Sequence, residues 1–402
     1  MIFSLLTPLA LFAVSVSAHS GENHSVETDE EHSITWTALP DLPVARSDMT
    51  STVNVSPTNP DHKHIYLIGG CTGPQTKGMY GYGCTEVTDR CDSYDVASKT
   101  YATCAPLPSP RYRHAAVNVD GKIYIVGGVN LMDEIQTEVL VYDTVADSWL
   151  TYGEWDTAMV DVAAFSHPGT TDFYAVGGYD PRAHVTEGVT YAAQSAVWKF
   201  STTTPGAPSG VADMGVARGD ISAAVSEDYA YVMGGFTSVD GFCNSLDTIE
   251  AWHIDTSEWH EIPDMVHPRG DYAAVHMNKR IYVIGGEKKV ACNAEDEVNP
   301  DRSTPVNDVE VYDEEKARWY IGSALPGPIF RFVAAAIPSE DSIYVFGGQT
   351  HYDEICDCFN VSPKVYKLDD YDWSNAEVDG SGASLTVGFA SAMMIAVVSL
   401  FM

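Results

Sequence analysis

Basic residues are scarce. Only 22 Lys and Arg stand against 56 Asp and Glu in 402 residues, a formal charge of −34. A surface that tracks phosphates needs clustered Lys and Arg, so nucleic-acid binding is excluded. Anionic lipid headgroups are repelled for the same reason. No G-x-S-x-G, H-E-x-x-H, P-loop or dinucleotide fingerprint occurs, and no cofactor is called for. None of the eight cysteines forms a C-x-x-C pair, so their spacing does not read as zinc. Collagen-like, coiled-coil and disordered compositions are absent too. What is present is 45% hydrophobic and 11% aromatic residues, enough for two ordinary domains or one large all-β domain.

The ends are distinctive. Ile2 to Val16 is uncharged and apolar, and Val16-Ser17-Ala18 supplies small residues before a polar stretch. Residues 1–18 therefore read as a secretory signal peptide. Residues 19–32 read as a flexible acidic segment. At the other end, residues 379–402 combine a small-residue spacer with an uncharged run from Leu385 to Met402. This fits a GPI-attachment signal, with a retained tail anchor as the alternative. The expected location is extracellular or at the cell surface, with the membrane touched only through this tail.

Tyr-x-x-Gly-Gly occurs six times, at Tyr66, Tyr124, Tyr174, Tyr231, Tyr282 and Tyr344. Each copy closes a β-rich stretch such as Lys122-Ile123-Tyr124-Ile125-Val126. Downstream lie aromatics seven residues apart: Tyr94/Tyr101, Tyr142/Trp149, Trp252/Trp259, Tyr312/Trp319 and Tyr366/Trp373. Pro205 replaces the second aromatic after Trp198. Small-residue runs such as Ala115-Ala116 and Ala273-Ala274 follow. Each unit thus supplies four strands: a slim strand a, strand b ending in Gly-Gly, then c and d.

Four strands, a period near 50 residues and the double glycine resemble the kelch repeat over residues 33–378. The resemblance implies an all-β fold, a six-bladed kelch β-propeller with four antiparallel strands per blade. Trp36 precedes Arg46 by ten residues, as Trp259 precedes Arg269. An N-terminal strand closing the last blade is therefore expected, with Trp373–Val378 as its competitor.

In an up-and-down blade the d–a and b–c connections share one end. The b–c loops are long, so this end is the expected binding face. Arg46, Arg111, Arg218, Arg269 and Arg331 precede strand a, with Met159 in the third blade, and would ring the channel mouth. Arg forks suit carboxylate, phosphate and sulfate. The expected ligand is an acidic peptide, protein or anionic glycan; the resemblance implies acidic peptides, which known kelch propellers hold with arginines here. Local pairing of these arginines with acidic loops is the structural alternative.

The cysteines are expected as disulfides. Hairpin register places Cys91 opposite Cys104. Cys243 and Cys292 follow Gly-Gly in neighbouring blades and pair plausibly. Cys71, Cys84, Cys356 and Cys358 lie in b–c loops of the first and last blades, where bridges between the loops would lock the ring. Asn23, Asn54 and Asn360 begin glycosylation sequons.

Two function classes follow: a binding module on the loop face, with no catalytic residue, or a sugar-modifying enzyme. Sialic-acid mutarotases resemble this chain as exported six-bladed kelch proteins. For an enzyme the candidate mouth groups are Asp161, Asp220, Asp271 and His114.

Overall fold

The computed structural model describes residues 35–56, 59–78, 81–167, 169–182, 191–238, 244–289 and 303–369. Each repeat forms one four-stranded antiparallel sheet. Blade 2 is typical, with strands Ala115–Val119, Lys122–Val126, Glu138–Asp143 and Ser148–Glu154 in sequential order. Strand b is flanked by sheet neighbours and covered on both faces, so it reads as a near-continuous apolar run. Strand d lies at the outer edge and is mostly solvent-facing. The six strands a contact one another in cyclic order, the sixth returning to the first, which makes a propeller around a central channel.

The seven-residue aromatic spacing is a c–d hairpin register. Tyr142 stands opposite Trp149 with ring centroids 4.9 Å apart, and Trp252 opposite Trp259 at 5.2 Å. In blade 3 the hairpin is longer, and Trp198 pairs with Gly210, which explains why Pro205 breaks the pattern.

The strand-d tryptophans also stitch blades together. Trp149 Nε1 donates to Ala105 O at 2.8 Å, Trp259 to Ala212 O at 2.9 Å and Trp319 to Pro263 O at 2.9 Å. Trp36 makes the same bond to Ser323 O at 2.9 Å. Its strand, Thr37–Leu39, pairs antiparallel with Val365–Asp369 and supplies strand d of the last blade. The competing Trp373–Val378 segment lies outside the described residues, as do residues 1–34 and the C-terminal tail.

The cysteine expectations divide. Cys91 and Cys104 are cross-strand partners and are bonded. Cys71 joins Cys84, and Cys356 joins Cys358. Each of these bridges stays inside one loop, so the expected inter-blade bridges do not form. The two loops are joined instead by hydrogen-bonded strands. Gln349–Asp353, Cys358–Val361, Gln75–Gly78 and Gly81–Cys84 form one sheet across the closure. Cys243 and Cys292 lie outside the described residues. Non-reducing peptide mapping should recover Cys71 with Cys84 and Cys91 with Cys104; a Cys71 peptide joined to the 356–358 peptide would contradict this closure.

Asn54 is corrected as a glycan site. It is 6% exposed, and its amide nitrogen donates to Thr144 Oγ1 at 2.9 Å, so neither space nor a free nitrogen is left for a sugar. Asn360 is exposed on the closure sheet, while Asn23 lies outside the described residues.

Candidate functional site: the channel mouth

Six junctions lead from one blade into strand a of the next. At each, the second glycine of a Gly-Gly donates its N–H to an equivalent carbonyl. The pairs are Gly348 to Arg46, Gly70 to Arg111, Gly128 to Met159, Gly178 to Arg218, Gly235 to Arg269 and Gly286 to Ile329. The approach requires glycine: a Cβ on Gly70, at φ +102°, would sit 2.5 Å from Ser47 O. These bonds fix the register. Arg331 does not belong with the other four arginines; Ile329 holds their position, and Arg331 lies two residues later.

Arg46, Arg111, Arg218 and Arg269 are fully buried, which corrects their expected place at the mouth. Each lies in a seam and donates to the backbone of its own blade. Arg269 reaches Gly285 O at 2.9 Å and Asp308 O at 3.1 Å, and also bonds the Asp308 and Glu310 carboxylates. Arg218 reaches Gly234 O at 3.0 Å, Thr248 O at 2.8 Å and Glu250 Oε1 at 3.0 Å. Arg46 bonds Asp92, and Arg111 bonds Gly127 O, Glu138 O and Ser109 Oγ. Burial pulls Arg46 down to about 10 against the attraction of Asp92, and Arg111 to about 10 against Glu138. The terminal nitrogens of all four bond carbonyls at strand ends, joined by a carboxylate at Arg46, Arg218 and Arg269 and by the Ser109 hydroxyl at Arg111. The structural alternative therefore describes them.

The mouth belongs to the residues two places on: Asp48, Arg113, Asp161, Asp220, Asp271 and Arg331. All six adopt left-handed φ, between +51° and +57°. Their backbones bond head to tail at five of the six junctions, Asp48 N to Arg331 O at 2.9 Å, then Arg113 to Asp48, Asp161 to Arg113, Asp271 to Asp220 and Arg331 to Asp271. Asp tolerates this conformation better than most residues. Below this ring comes a bulky tier, Met49, His114, Val162, Ile221, Tyr272 and Phe332, and below that the slim walls of strands a. The small-residue runs line the channel as the sequence implies.

The charges of the mouth answer one another only in part. Arg331 Nε bonds Asp271 Oδ2 at 2.9 Å and lies 3.8 Å from Asp48. Arg113 lies 3.5 Å from Asp48 and 3.4 Å from Asp161. Gln75, from the closure sheet, caps the ring by donating to Asp48 Oδ2 at 2.6 Å and accepting from Arg331. Tyr179 OH donates to Asp220 Oδ2 at 2.9 Å. Asp220 Oδ1 is buried and accepts no hydrogen bond.

Burial pushes the Asp161 carboxyl up to about 6, opposed by Arg113 and reinforced by Asp271. Burial and then the Asp271 and Asp161 charges push Asp220 well above the usual carboxylate range. Burial would lower Arg331, but Asp271, Asp48 and Glu287 together outweigh it and hold the guanidinium above its ordinary value. His114 is buried, driven down to about 3 by desolvation and by Arg111, and is therefore neutral at pH 7.

The enzyme candidates Asp161, Asp220 and Asp271 do meet, and His114 sits in the tier beneath. Sequence reasoning missed Asp48 and Arg113. The signal was present: Arg46-Ser47-Asp48, Arg218-Gly219-Asp220 and Arg269-Gly270-Asp271 repeat Arg-x-Asp at one register. The mouth encloses about 110 Å³. It opens into the channel beneath, which offers a further volume of about 270 Å³.

Comparison with known proteins agrees with the fold. The family model described as Attractin/LZTR1 beta-propeller matches residues 65–348. Human Kelch-like protein 23 is 25% identical over 73% of this chain and 46% of its own. Kelch-like protein terF of Aspergillus terreus is 24% identical over 66% and 54%, and Kelch-like protein 40 of Xenopus tropicalis 27% identical over 56% and 34%. The chain thus spans about half or less of these relatives. The solved structure of YjhT superposes with a TM-score of 0.62 at 14% identity, covering 81% of this chain and 95% of that one. At that identity the likeness concerns the fold.

Proposed function

We propose that this chain, which belongs to the Attractin/LZTR1 β-propeller family, is a binding module that engages a basic partner protein on its d–a and b–c loop face. The observation that carries this reading is where the charge sits. Four of the five expected anion-gripping arginines are sealed in seams, and Arg331 is paired with Asp271. The loop face instead exposes carboxylates: Glu86, Asp89, Asp133, Glu134, Glu354 and Asp357. The preferred ligand charge is therefore opposite to the sequence expectation.

Apolar residues stand among these acids. Leu131 and Met132 are 55% and 79% exposed in one b–c loop, and Ile355 is 98% exposed in another. Carboxylates steer a cationic partner, and apolar contact then supplies area. A protein with both features is the fitting occupant. Export and membrane attachment remain part of this proposal, resting on the two chain ends.

A charge-graded peptide array probed with the folded protein tests it. Lys- and Arg-rich peptides carrying one or two aromatic or aliphatic residues should be retained, and retention should fall as salt rises. Retention of acidic peptides in their place would overturn the reading.

A further inference from the structure

We propose that the channel mouth is a binding site for one hard divalent cation of the Ca2+ class, held by Asp161, Asp220 and Asp271. The site lies at the centre of the same face but uses other residues than the exposed loop carboxylates, and its existence does not depend on the partner's charge.

One carboxylate oxygen from each of the three residues lies within 4.8 Å of the others. Ca2+ takes oxygen ligands at about 2.3–2.6 Å, so two of its ligands stand at most about twice that distance apart. The donor set is all oxygen, which disfavours zinc and copper. Three carboxylates leave several positions for water, and a volume of about 110 Å³ is ample for an ion with several waters.

A second observation, independent of the clustering, concerns bonding. Asp220 Oδ1 is buried with no hydrogen-bond partner, whereas its Oδ2 is oriented by Tyr179. A buried carboxylate oxygen left without a donor costs free energy unless something else meets it. Arg113 reaches Asp48 and Asp161, and Arg331 reaches Asp48 and Asp271, so the guanidiniums are engaged on either side of Asp220. Four carboxylates against two guanidiniums leave a formal charge of −2, which one divalent cation neutralises.

The ligands are also fixed in advance. They project from backbone positions locked by left-handed φ and by the head-to-tail bonds of the ring. Little ordering entropy then opposes binding.

The test is equilibrium dialysis of 45Ca2+ against the chelator-stripped full chain at neutral pH. One equivalent should bind, saturating within the ~0.1–1 mM range of extracellular calcium modules or below it. Asp220→Asn should weaken binding by roughly tenfold or more, because ligand charge sets affinity. Asp255→Asn, on an exposed c–d turn at the opposite end, should bind Ca2+ as the native chain does. Circular dichroism of each variant checks the fold. No bound Ca2+ at about 5 mM, well above that range, or native affinity in a folded Asp220→Asn variant, overturns the site. A partner reading that fails would show on the peptide array and leave this dialysis result untouched.

Discussion

Arg269→Ala is expected to lower the stability of the fold by about 3–5 kcal/mol, the usual cost of breaking a buried ion pair. The residue is fully buried between strand ends, and Glu310 beside it has no exposed side-chain surface. Removing the guanidinium leaves the carbonyls of Gly285 and Asp308 without this donor. Glu310 keeps its bonds from Val266 N and His267 N but loses its buried counter-charge. Unfolding entropy grows with chain length, so the midpoint should fall by roughly 4–8 °C for a domain of this size. Arg269→Lys should recover part of the loss, because an ammonium lacks the planar fork that meets two carbonyls and a carboxylate together. Thermal unfolding followed by circular dichroism decides it. An unchanged midpoint with lost ligand binding would return this arginine to a recognition role.

The second large effect has the opposite sign. In the presence of chelator, Asp220→Asn should stabilise the protein at pH 7.5 by about 1–4 kcal/mol, as neutral replacements of poorly compensated buried charges often do. The pH dependence follows from the direction of the shifts. A carboxyl raised in the folded state contributes stability that is complete below its unfolded value. That contribution is lost as pH rises through the folded value. Asp161 is raised to about 6 and Asp220 is raised further in the same sense. The native chain should therefore lose stability from about pH 4 upward through pH 6 and beyond. The variant should escape much of that loss, and the two curves should converge near pH 4. Carboxylates lowered by local bonds, such as Asp143 and Asp147, act oppositely but equally in both chains. Equal stability at pH 7.5 would mean that the mouth carries no net repulsion.

Much of the architecture was legible because it repeats. Tyr-x-x-Gly-Gly, the paired aromatics and the alanine runs each recur at one place in every blade, and Trp36 betrayed the closing strand by its spacing from Arg46. The mouth was harder to read. A two-residue difference between Ile329 and Arg331 does not show in composition or alternation; it shows in which carbonyl a glycine N–H meets. With Arg331 misplaced, the ring looked cationic, although the four true equivalents turn inward to backbone carbonyls. The loop cysteines misled for another reason. Bridges between adjoining blades are sterically reasonable, but paired strands already join those loops.

We propose that recognition occurs on the anionic loop face while the arginines hold the seams. Hydrogen–deuterium exchange with and without the strongest basic peptide from the array tests it most directly. Exchange should slow in the b–c loops around Glu86–Asp89, Leu131–Glu134 and Asp353–Asp357, with little change at the opposite c–d turns such as Asp143–Ser148. Protection confined to those c–d turns, or spread evenly over both ends, would contradict it.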